Sequence, residues 1–168
     1  MLRPQDTSTR ERKPLTGLWR FALDPAAEGR RSRWFAGPLA NAREMAVPAS
    51  FNDIVTDPAV REYFGDIWYQ TTVRVPRGWA DQRIVLHFES ATHRATVWVN
   101  DAEVVSHEGG YTPFEADVTE HVRPGEAPAV HSGHQVRPEL FWTVGAGEQA
   151  RQPHDGEGAG HCVLLSGE

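Results

Sequence analysis

Arg83-Ile-Val-Leu-His-Phe-Glu89 sets apolar side chains at every second position from Ile84 to Phe88. Successive side chains of an extended strand point to opposite faces, so Ile84, Leu86 and Phe88 are expected inward, with His87 and Glu89 toward solvent. The segment Ile67 to Val75 repeats the pattern, with Ile67, Tyr69, Val73 and Val75 on one face and Gln70, Thr72 and Arg74 on the other. Both read as half-buried antiparallel strands. Between Thr96-Val-Trp-Val99 and Ala102-Glu-Val-Val-Ser106 stands Asn100-Asp101. Both residue types tolerate the left-handed backbone of a two-residue hairpin turn. Further strands are predicted at Leu18–Leu23, Met45–Val47 and Phe114–Val118, with turns at Pro76–Gly78 and Gly109–Gly110. Helical spacing is scarce between Gly17 and Val118. The fold expected is all-β, a sandwich of which the jelly roll is one common form.

The chain has 168 residues, enough for one domain and its core. A formal charge of −6 argues against a nucleic-acid partner, because phosphate binding needs clustered Lys and Arg on a basic surface. The short cluster Arg30, Arg31 and Arg33 reads as a solvated loop. No apolar stretch approaches the ~18 residues of a membrane span, and Met1 to Lys13 is charged throughout, so neither a membrane partner nor a signal peptide is expected. Cys162 is the sole cysteine, which fits a reducing cytoplasm.

The character changes near Glu126. Residues 126–168 carry seven Gly, three Pro and four His, with Leu140-Phe-Trp142 and Val163-Leu-Leu165 as short apolar knots. So little apolar surface does not offset the entropy of ordering a chain, and the segment is expected to be an irregular, mostly disordered tail behind a domain at residues 1–125. His131, His134, His154 and His161-Cys162 offer zinc-type ligands, but their spacing matches no standard finger and no metal or other cofactor is expected.

Four segments carry a resemblance to a known family: Met1-Leu-Arg-Pro4 with Arg10-Glu11 and Gly17-Leu-Trp19; Val47-Pro48 with Ser50-Phe-Asn-Asp53; Trp68-Tyr-Gln70; and Glu108-Gly-Gly-Tyr-Thr-Pro-Phe-Glu-Ala-Asp-Val118. In order and spacing they resemble the amino-terminal sugar-binding domain of β-glucuronidases, glycoside hydrolase family 2. The resemblance implies a jelly roll, followed in that family by an immunoglobulin-like domain and a (β/α)₈ barrel with two catalytic glutamates, in members that form homo-oligomers. It implies β-glucuronide or another carbohydrate as the partner. The family's acid/base glutamate lies in an Asn-Glu-Pro run, whereas Asn41, Asn52 and Asn100 are followed here by Ala, Asp and Asp. No catalytic residue carries over, and the chain reads as the sandwich cut off from its barrel. A β-galactosidase, a split hydrolase and a scaffold without sugar binding are the competing readings.

Beyond Pro124-Gly125 the family pattern, a strand leading into paired asparagines, gives way to Ala129-Val-His-Ser-Gly133, which suggests a shifted reading frame. Losing that strand would leave an exposed sheet edge, a domain prone to aggregate and a tail open to protease beyond about Glu126. Leu86, Phe88 and Trp98 are read as inner-face residues that would then lose cover. Asn52 and Asp53, polar residues in a family-like loop, are the candidate sugar-binding residues, with turn formation as the alternative. Tyr111 and Trp68 read as rings at the edge of the core. Glu89, Glu115 and Asp117 are outer-face carboxylates rather than a catalytic pair.

Overall fold

A computed structural model describes residues 6–91, 93–136 and 163–167. Among the described residues ten strands follow in chain order: β1 Glu11–Pro14, β2 Gly17–Asp24, β3 Arg43–Val47, β4 Gly65–Thr72, β5 Ile84–Phe88, β6 Arg94–Val99, β7 Ala102–Glu108, β8 Phe114–Asp117, β9 Ala129–Val136 and β10 Val163–Gly167. Two one-turn helices, α1 Phe51–Ile54 and α2 Pro58–Arg61, lie between β3 and β4. A four-stranded sheet runs β1-β10-β5-β8 and a six-stranded sheet β3-β2-β4-β9-β6-β7, with antiparallel neighbours throughout. The expected sandwich is present.

Alternation builds the core. Trp19 and Phe21 of β2, Ile67 and Tyr69 of β4, and Ala95, Val97 and Val99 of β6 meet Leu86 and Phe88 of β5 and Phe114 of β8 in one apolar cluster. Phe21 packs on Phe51 and Tyr69 at centroid distances of 5.5 and 5.1 Å, while Phe88 and Phe114 stack at 4.8 Å. Each fully buried side chain of this kind contributes ~1.5–3 kcal/mol relative to exposure. Within the hairpin Asn100 takes the left-handed backbone, at φ 56°. Its side chain donates from Nδ2 to the His121 carbonyl and accepts from the Ala129 N–H, tying the turn to the start of β9.

Several expectations need correction. Residues 129–136 were expected in an irregular tail, yet they form β9, which pairs with β4 from Gly65↔Val136 to Thr72↔Ala129 and with β6 on its other side. The predicted exposed edge is therefore occupied. Its inner-face positions are Val130, Ser132 and His134, and the two polar ones bond each other at 2.9 Å between His134 Nε2 and Ser132 Oγ. Burial of that hydrogen-bonded polar pair breaks the apolar alternation by which a strand is recognised in sequence. Residues 163–167 form β10 between β1 and β5. The expectations for residues 137–162, including Leu140-Phe-Trp142, His154, His161 and Cys162, lie outside the described residues.

His87 does not face solvent. It is 3% exposed, and its Nδ1 lies 2.9 Å from Glu115 Oε1 on the neighbouring strand. Tyr111 is not a core ring; at 89% exposure it stands free on the loop before β8. Trp98 belongs to the outer face of its sheet, past a register shift between Val97 and Trp98, and Val97 and Val99 turn inward in its place.

Candidate functional site

The outer face of the six-stranded sheet carries a second, smaller apolar cluster of Ala22, Leu39, Trp68 and Trp98, with Trp34, Phe35 and Ala42 packed against it. Trp68 and Trp98 stack on each other at 5.1 Å, and Phe35 lies parallel to Trp98 at 4.9 Å. Residues 25–42, the connection from β2 to β3, fold over this face. Asp24 anchors the start of that loop: its buried carboxylate accepts from the Glu28 N–H at 2.8 Å, the Gly29 N–H at 2.7 Å and the Trp68 indole N–H at 3.1 Å. The Gly37 carbonyl closes the far end by accepting from Gln70 Nε2 and from His131 Nε2. Gln70 also accepts the Leu39 N–H through Oε1 at 2.9 Å. Burial, the larger influence, depresses the His131 pKa, while the bond to Gly37 opposes it. His131 is thus neutral at pH 7.

Beside this cluster lies a groove of about 160 Å³. The sheet register explains it. Gly133 of β9 is flanked in one row by Trp68 of β4 and Thr96 of β6, and Asp66 and Arg94 occupy the next row. Gly133 leaves the row without a side chain: a Cβ there would stand 3.3 Å from Trp98 Cζ3 and 3.4 Å from the Trp68 ring. Arg30, reaching in from the loop, completes the lining with Asp66, Trp68, Arg94, Thr96, Trp98, Gly133 and His134. Its guanidinium is 6.0 Å from the Trp98 ring centroid and bonds Glu103 at 2.8 Å. Arg94 bonds Glu108 at 2.6 Å. The groove thus offers guanidinium donors, a carboxylate and a hydroxyl over indole edges. Both indoles are only 3% exposed, so their faces are spent on the protein's own packing.

Asn52 and Asp53 do not reach this groove's lining. They sit on α1, where Asn52 Nδ2 donates to the Arg61 carbonyl of α2 and Oδ1 accepts from Ser50 Oγ at 3.3 Å. Asp53 is exposed, and its backbone N–H closes a turn on the Ser50 carbonyl. Asn52 therefore joins the two short helices through its side chain. The groove residues escaped that reading because Arg30 was taken for a solvated loop and Gly133 for tail.

Carboxylates elsewhere are engaged with neighbours. Asp117 accepts from Thr119 Oγ1 at 2.6 Å, the Thr119 N–H at 3.1 Å and Arg83 Nε at 2.9 Å. The Thr119 hydroxyl first, then Arg83, holds its pKa at about 2. These groups line a wider, open hollow of about 650 Å³ at the opposite end of the sandwich. Glu115 is bound to His87. His131 and His134 point to opposite faces of their strand, and among the described residues no group of three metal-ligating side chains occurs.

Comparison with known proteins places this architecture. Residues 12–137 match the family model described as glycosyl hydrolases family 2, sugar binding domain. A β-glucuronidase of Paenibacillus borealis is 52% identical over 125 residues, covering 74% of this chain and 21% of the relative. That of Mus musculus is 42% identical over 134 residues with the same coverage. A solved Ruminococcus gnavus β-glucuronidase superposes with a TM-score of 0.83 at 33% identity, covering 99% of this chain and 29% of that one. The chain spans about a fifth of the length of the curated relatives it matches. With the family match reaching from β1 through β9 and the sandwich superposing on solved relatives, the chain belongs to the sugar-binding domain family of the family 2 glycosyl hydrolases.

Proposed function

We propose that this chain serves as the carbohydrate-binding sandwich of a β-glucuronidase-type glycoside hydrolase and carries no hydrolytic step of its own. The match over residues 12–137 is the observation that carries this reading. A retaining glycosidase needs two carboxyl groups about 5–5.5 Å apart across the scissile bond, one to donate a proton and one to attack. Glu115 and Asp117 are instead held by His87, Arg83 and Thr119, which supports a binding role over a catalytic one. The chain incubated with a chromogenic β-glucuronide is expected to give no turnover. Turnover that copurifies with the protein and vanishes on Glu115→Ala would overturn the reading.

A scaffold role without sugar binding is the second reading, favoured by the covered faces of Trp68 and Trp98 and by the engagement of Asn52 with Arg61. Titration with glucose, glucuronate and galactose separates the two, since a pure scaffold responds to none. We place the protein in the cytoplasm, supported by its single cysteine; fractionation of expressing cells tests this.

A further inference from the structure

We propose that the notch between the β1–β2 corner and the end of β4 binds a tetrahedral oxoanion of the phosphate or sulfate class, held by Lys13, Arg74 and the threonine hydroxyls around them. The inference is independent of the carbohydrate-binding reading above, and either can fail without the other.

The sheet itself opens the notch. β2 and β4 pair from Asp24↔Asp66 to Arg20↔Gln70, and their ladder stops there although β2 reaches back to Gly17 and β4 runs on to Thr72. Past that point each strand follows its other neighbour, β2 with β3 and β4 with β9, and a cavity of about 190 Å³ lies between them. This is below the ~300–1,000 Å³ of sites that enclose whole organic ligands, and suits an ion-sized group. Lys13 reaches over from β1, and its Nζ donates to the Arg74 carbonyl at 2.6 Å. That bond fixes the ammonium at the notch and uses one of its three donors.

Charge then selects the ligand. The lining holds two cations, Lys13 and Arg74, and no carboxylate. Neither cation forms an ion pair among the described residues, whereas Arg30, Arg83 and Arg94 each have a carboxylate partner. Both positive charges are therefore uncompensated on a chain whose formal charge is −6. Lys13 and Thr71 are half-buried, where salt screens charge less than on open surface. Thr16, Thr71 and Thr72 add hydroxyl donors to the wall. A planar carboxylate spends both oxygens on one guanidinium fork, while a tetrahedral anion keeps further oxygens for the ammonium and the hydroxyls.

The test is a titration of the 168-residue chain with inorganic phosphate, sulfate, acetate and glycerol 3-phosphate at constant ionic strength. Backbone amide resonances of residues 16–18 and 71–74 and the Trp19 indole N–H report occupancy of the notch. Phosphate and sulfate are expected to shift this set, with acetate at least about tenfold weaker. Arg74→Gln and Lys13→Gln should each weaken phosphate about tenfold, while Arg61→Gln, which removes the same charge outside the notch, leaves it unchanged. Because Lys13 also braces the Arg74 carbonyl, Lys13→Arg is the folding control, and it should retain most of the binding along with a cooperative melt. Glycerol 3-phosphate binding as tightly as phosphate identifies the terminal group of a phosphorylated molecule as the ligand. Exclusion of the ester identifies the free ion, and either result supports the site. Phosphate binding that survives both glutamine substitutions overturns the proposal, as does acetate matching phosphate or an absence of shifts around the notch.

Discussion

His131 shows how a single residue couples the fold to pH. It is 1% exposed, and its Nε2 donates to the Gly37 carbonyl, so the ring is held neutral with its pKa pushed down by burial. Below the ordinary histidine value of about 6.5 the unfolded chain binds a proton that the native chain resists. Stability is then greater on the neutral side of that value and falls as pH drops from about 7 toward 5. His131→Gln, which keeps a donor for Gly37, is expected to flatten part of this slope in urea melts at stepped pH. An unchanged slope would assign the acid sensitivity to other groups. Asp117 acts with the opposite chemistry on a lower scale. Its pKa of about 2 lies below the usual carboxylate range, so its contribution is present above about pH 4 and disappears as pH falls through about 2. Being half exposed, it contributes well under ~1 kcal/mol. Tyr111 and His87 exchanged their expected places at this scale: one polar-tipped ring is exposed on a loop, and one imidazole is covered because Glu115 opposite gives it a partner.

Among the elements, β9 decides most. It supplies the middle of the six-stranded sheet and, through Gly133, the floor of the groove. Gly133→Val would drive methyl groups into the Trp68 and Trp98 rings already at 3.3–3.4 Å from a Cβ. Overpacking of this kind costs ~1–3 kcal/mol. The expected result is a lower melting temperature with a changed near-ultraviolet tryptophan signal; a stable variant with wild-type tryptophan spectra would mean that the groove is wider than the ring contacts indicate. The loop over residues 25–42 is the second deciding element. Asp24 and Gly37 hold its two ends, and between them the sheet gains cover for a face that strand alternation assigns to water. For that reason β4 carries Trp68 and Gln70 buried on its outer side as firmly as Ile67 and Tyr69 on its inner side.

For the molecule as a whole, the pairing of β9 and β10 changes the stability expected from sequence. A strand with neighbours on both sides presents few free N–H and C=O groups, and its opening is tied to that of the whole sheet. Limited proteolysis is therefore expected to spare residues 129–136, in contrast to the cleavage beyond about Glu126 anticipated from composition. Mass spectrometry of the resistant core reads this directly, and early cuts between Ala129 and Val136 would restore the weaker view of the domain. The sequence alone determined the strand pattern from Gly17 to Val118, the hairpin at Asn100 and the family, because alternation and turn chemistry are local properties that each segment carries by itself. Only the tertiary structure decided that β9 is central, that Trp98 faces outward and that Arg30, Asp66, Arg94 and Gly133 share a groove. Those outcomes depend on what lies opposite each residue across the sheet. A buried Ser–His pair or a side-chain gap between two tryptophans leaves no periodic trace along the chain.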